Sequence, residues 1–123
     1  MAAGDDKWRE IMCTEPPATN DGGFLELTRD HVFGTIWARG ELSTRDRRLI
    51  SLTCTAVNPS GPALALHVEK ALQSGDLTPA QVDEWIVHLA HYAGWPVAAN
   101  VYAQTRAVLA HFRDDAAANT DGA

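Results

Sequence analysis

Cysteine is nearly missing from this sequence. Cys13 and Cys54 stand about forty residues apart, outside any Cys-x-x-Cys arrangement, which excludes a disulfide framework and a thiolate metal cluster and leaves two isolated thiols expected to be buried and inert. Concentrated positive charge is missing as well: ten lysines and arginines are scattered among sixteen acidic residues, for a net charge of −6. Such a chain has no surface that releases counterions from nucleic acid, so no nucleic-acid partner is expected. Met1 is followed by Ala-Ala-Gly-Asp-Asp-Lys, without the apolar core of a signal peptide. No later stretch reaches the roughly eighteen uncharged residues of a membrane span. A cytoplasmic protein with no membrane partner is expected. Sustained strand-like alternation and internal repeats are lacking too.

What is present suits one helical domain. With 123 residues, 46% of them hydrophobic, and four tryptophans, the chain can fold around a core while leaving apolar surface for subunit contacts. Residues 1–23 carry Pro16-Pro17 and Asn20-Asp21-Gly22-Gly23 and read as an arm with at most a short helix around residues 8–12. Phe24, Leu27, His31, Val32 and Ile36 recur at helical spacing up to Trp37, with Gly40 placed to end that helix. Ser43-Thr44-Arg45-Asp46 sets a capping hydroxyl three residues before a carboxylate and predicts a helix over 44–57. Asn58-Pro59-Ser60-Gly61-Pro62 breaks the chain, and a helix restarts near Pro62 and ends before Gly75. Thr78-Pro79-Ala80-Gln81 is the clearest start signal, with Thr as N-cap, Pro in the first turn and Gln able to close a capping box. Val82, Trp85, Ile86, Leu89 and Ala93 form that helix's core stripe. Gly94-Trp95-Pro96 ends it and opens another bearing Val97, Val101, Val108, Leu109 and Phe112. The expectation is an all-α domain of five to six helices over residues 24–113, with a disordered tail over 114–123.

Three segments carry a resemblance: Phe24-Leu-Glu-Leu-Thr-Arg-Asp-His-Val-Phe-Gly-Thr-Ile-Trp37, Leu42-Ser-Thr-Arg-Asp-Arg-Arg-Leu-Ile-Ser-Leu52, and His88-Leu-Ala-His-Tyr-Ala-Gly-Trp-Pro-Val-Ala-Ala-Asn100. Together with the histidine-led stretch His67-Val-Glu-Lys-Ala-Leu-Gln-Ser-Gly75, they resemble the carboxymuconolactone decarboxylase family within the alkylhydroperoxidase D superfamily. The resemblance implies a helical fold that assembles into a homo-oligomeric trimer or hexamer, with a pocket between helices near a subunit boundary. It also implies a lyase that takes a small-molecule substrate and needs no cofactor. Two departures stand out. The positions of the superfamily's Cys-x-x-Cys are Ser60 and Ala63, so dithiol peroxidase chemistry is not expected. Decarboxylases of the family carry a glutamate where Ala63 stands, which opens the alternative of dehydration, cyclisation or isomerisation on the same scaffold, or of a non-catalytic oligomeric binding module.

Loss of carbon dioxide from a carboxylated lactone leaves electron density that a ring carbonyl can accept, and so asks for carboxylate positioning, oxyanion stabilisation and proton transfer. His67 is the first candidate for proton transfer, because imidazole titrates near working pH, with His31 beside it as a second catalytic group. Trp37 is expected on a pocket wall, and Arg29 or Arg39 is expected to hold a carboxylate by a two-pronged contact. Each arginine has a plainer reading as a surface ion pair. His88, His91, Tyr92 and Trp95 are expected around the substrate. Glu84, His88 and His91 share a helical face, but nothing supplies the open geometry and outer support of a metal site, so no metal is expected. Arg45, Asp46 and Arg47 read as helix capping with local ion pairing.

Overall fold

The computed structural model describes residues 4–58 and 61–121. It contains six α-helices, one π-helical segment and, among the described residues, no strand, so the all-α expectation holds. No helix among the described residues is long and apolar enough to cross a membrane. The chain divides into two compact units, Met1–Arg47 and Arg48–Ala123.

In the first unit, α1 (Asp5–Met12) carries Asp5 and Asp6 in its first turn, where negative charge complements the open amides. It ends at Cys13, which takes the left-handed conformation usual for glycine. The helix is no free arm. Its Ile11 is fully buried with Phe33 and Trp37, flanked by Trp8 and Met12, and the Trp8 and Phe33 rings meet edge to face at 5.3 Å.

A short α2 (Phe24–Leu27) runs into the π-helix Thr28–Ile36, and here the sequence reading is corrected. The stripe expected in the core is largely outward: Phe24 is 82% exposed, and Leu27, Val32 and Ile36 are exposed with it. The buried face is instead Arg29, Phe33 and Trp37. Bonding five residues back widens each turn, so positions counted at 3.6 per turn drift off the face they were assigned to. Helical winding stops at Ile36, short of Gly40.

Ser43 Oγ accepts from the Asp46 amide at 3.0 Å at the start of α3 (Thr44–Val57), whose residues from Arg48 onward belong to the second unit. α4 (Ala63–Gln73) turns Leu64, Val68, Ala71 and Leu72 inward. α5 (Pro79–Ala93) starts with the full capping box between Thr78 and Gln81. α6 (Trp95–Asp121) packs along both α4 and α5. These helices share one core with Leu52, Val68, Val82, Val101 and Leu109 at its centre. Each such side chain contributes about 1.5–3 kcal/mol relative to exposure. Trp85 is half-buried and donates from Nε1 to Thr53 Oγ1 at 3.1 Å. α6 continues beyond Arg113, where a disordered tail was expected: Ala116, Ala117 and Ala118 have the highest helix propensity and carry the winding on.

Candidate functional site

His67 stands on α4, one turn after Ala63 and two turns before Ser74, so the three share a helix face. Ser60, the other position compared with a redox cysteine, lies outside the described residues. The His67 ring is half-buried, and its Nδ1 is buried with no hydrogen-bond partner. Burial, reinforced by the positive charge of Arg48, holds the imidazole below its ordinary value of 6.5. Protonation would turn Nδ1 into a donor with no acceptor, so the geometry also favours the neutral ring. With Nδ1 buried, Nε2 is the nitrogen left to meet a ligand.

The source of that charge was missed in the sequence. Arg48 is 0% exposed and occupies the buried stripe of α3 with Leu52 and Ala56. Its Nε donates to Asp76 Oδ2 at 3.2 Å, and its Nη2 to Ser74 Oγ at 3.4 Å. Ser74 Oγ in turn donates to the Ala71 carbonyl at 3.2 Å and accepts the Asp76 amide at 3.4 Å. The signal was there to read: Arg48, Leu52 and Ala56 repeat at a spacing of four, which puts an arginine on the core face.

Other expected site residues are placed differently. Arg29 is 2% exposed and fully engaged inside the first unit. Its Nε and Nη2 each meet a carboxylate oxygen of Asp30 at 2.7 Å, Nη1 donates to the carbonyls of Pro17 and Thr19, and Nη2 reaches Asn20 Oδ1. It is a clamp on its own chain and not a holder of substrate carboxylate. Trp37, expected on a pocket wall, is instead core, packed edge-on to Phe33 at 5.9 Å. His31 and Arg39 are exposed in the first unit. His88, His91, Tyr92 and Trp95 form an exposed strip: His88 lies against Tyr92 at 5.0 Å between ring centres, His91 meets Trp95 edge to face, and His91 Nδ1 bonds the Val87 carbonyl at 2.8 Å. No three potential metal ligands converge among the described residues. Cys13 and Cys54, expected to be buried, are both exposed.

Grooves mark the surface of the second unit among the described residues. One of about 700 Å³ runs between α4 and α6 beside Glu69, Leu72, His111 and Phe112. A smaller one of about 290 Å³ lies between α5 and α6 beside Ile86, Ala90, Trp95 and Tyr102. His67 lines neither.

The helical fold, the family-like segments and the histidine on α4 can now be set beside known proteins. The model of the carboxymuconolactone decarboxylase family matches residues 22–107. The chain belongs to that family. Among curated proteins, a nitrosuccinic acid decarboxylase of Metarhizium robertsii is 31% identical over 93 residues, covering 76% of this chain and 63% of that protein. The chain therefore matches less than two thirds of its relative's length. No solved structure matches it. Within the family frame, α4 carries the histidine that the resemblance singled out, with Ala63 one turn before it.

Proposed function

We propose that this protein is a carboxy-lyase acting on a small acid whose carboxylated carbon neighbours an electron sink, as in a carboxylated lactone. The relative's printed substrate, nitrosuccinic acid, has the same logic, with a nitro group as the sink. The observation that carries the reading is the neutral, half-buried His67 on α4 of a family member. Nε2–H donates to the sink oxygen as the carbon–carbon bond breaks and its electron pair moves onto that oxygen. Carbon dioxide leaves, and a proton taken from water through the imidazole reaches carbon, leaving hydroxide. An imidazolium would instead pair with the ground-state carboxylate and hold back its departure. A neutral histidine serving as an electrophile is a known arrangement. No step calls for a cofactor.

Turnover of 4-carboxymuconolactone and of nitrosuccinic acid by purified protein tests this, following carbon dioxide release in wild type and His67→Gln. The expected result is turnover of at least one acid, reduced about 10²- to 10⁴-fold in His67→Gln. A folded wild type that releases no carbon dioxide from either overturns the substrate class and favours the second reading, in which Ala63 in place of an acid adapts the scaffold to dehydration, cyclisation or isomerisation.

We also infer a homo-oligomer, a trimer or hexamer as in the family. Tyr92 is 84% exposed and Trp95 68%, with Val87 and Tyr102 beside them on one unit, and an aromatic face of that kind suits a subunit contact.

A further inference from the structure

The groove of about 700 Å³ between α4 and α6 has the size of a small-molecule site. Its floor is apolar: Leu72 is almost fully buried, and Val108 and Phe112 pack against the core from α6. The α6 wall runs from Ala107 to Ala116, whereas the match to the family model ends at residue 107. The wall therefore depends on the winding that α6 continues past the family match. His67 does not line the groove, so what binds there is a question separate from decarboxylation.

The fixed charges at its edges are negative. On the α4 side, Glu69 Oε1 accepts from Gln73 Nε2 at 3.1 Å, and Gln73 Oε1 accepts from Lys70 Nζ at 3.3 Å. These bonds orient the Glu69 carboxylate, whose side chain is 44% exposed, while Lys70 is buried and does not line the groove. On the α6 side, Asp115 Oδ2 lies 3.2 Å from His111 Nε2, and the Asp115 side chain is 62% exposed. The arginines of this part of α6, Arg106 and Arg113, lie against Asp83 on α5. Two carboxylates thus stand on opposite walls of an apolar floor, and among the described residues no lysine or arginine lines it.

We propose that this groove binds a small organic cation, an ammonium group on an apolar body. The body lies on Leu72, Val108 and Phe112, where it removes apolar surface from water. The ammonium meets the carboxylates of Glu69 and Asp115, and the Phe112 ring adds the attraction of an aromatic face for a cation. The same carboxylates, on a chain of net charge −6, repel an anion. The acids proposed as substrates therefore do not compete for the groove, and the proposal stands apart from the reading of His67.

Phenethylammonium is the probe, and 3-phenylpropionate, of similar size and opposite charge, is its control. Each is titrated into the full chain at about pH 8, above the ordinary range of imidazole, and followed by amide NMR shifts. Phenethylammonium is expected to give saturable shifts at Leu72, Val108, His111 and Phe112, with 3-phenylpropionate binding at least about tenfold more weakly. Glu69→Gln/Asp115→Asn should weaken the cation about tenfold, the combined contribution of two partly exposed ion pairs. Both side chains are partly exposed, so its circular dichroism should match wild type. Ala107→Trp, at an exposed position, fills the groove and should abolish binding. Equal affinity for the two probes, or cation binding that the double variant leaves intact, overturns the proposal. Absence of saturable phenethylammonium binding overturns it too; if Ala107→Trp then lowers the sedimenting mass, the occupant is a second copy of the chain.

Discussion

At the scale of single residues, two arginines show how far side-chain chemistry depends on neighbours distant in sequence. Arg29 and Arg48 look alike in the sequence, yet one braces the first unit through Asp30, Pro17 and Thr19 and the other is buried in the second unit against Asp76 and Ser74. The carbonyl partners of Arg29 come from the Pro-rich segment, whose path has no periodicity to read, so its clamp was not visible in the sequence. Gly4 is a third case. A Cβ there would overlap the Arg29 carbonyl oxygen, while the Gly4 carbonyl accepts from the Trp8 amide and starts α1. Gly4→Ala is expected to cost about 1–3 kcal/mol, as overpacking does. Chemical denaturation measures it, and a weaker near-UV signal from Trp8 reports the loosened contact with Phe33.

Among the elements, those punctuated by backbone chemistry were legible and those set by winding were not. The hydroxyl of Ser43 fixed the start of α3, and Thr78 with Gln81 fixed α5, because a cap satisfies amides within its own four residues. Thr78→Ala removes one arm of the box and should cost about 1 kcal/mol, read as a lower denaturation midpoint at unchanged slope. The same reasoning failed over Thr28–Ile36, where an α period was applied to a π-helix. Of the residues expected at a site, Arg29 and Trp37 are taken up inside the first unit, and the sequence reading did not single out the buried Arg48.

For the molecule as a whole, the buried histidine ties stability to pH. The His67 value is lowered on folding, so between that value and 6.5 the unfolded chain binds more protons than the folded one. Stability is therefore complete above about 6.5, falls as the pH drops through that window and levels off below the folded value. Thermal unfolding at pH 7.5 and 5.5 should show a larger loss for wild type than for His67→Gln; equal losses would contradict it. Asp30, held low by its bond to Arg29, acts in a separate window below its ordinary 3.8. The exposed aromatic strip predicts self-association: sedimentation should give a multiple of the 13.3 kDa chain mass, shifted toward monomer by Tyr92→Glu with Trp95→Glu.

The π-helix has a consequence for comparing relatives. A turn that holds one residue more than an α turn can lose that residue by rewinding, without the helix being cut. Lineages that dispensed with it should carry a one-residue gap inside the stretch matching Thr28–Ile36, between neighbours that align without gaps. An alignment that moves this gap out to the loop around Gly40 would pair every position from Phe33 to Trp37 with the wrong counterpart, and would hide any shared role of that face.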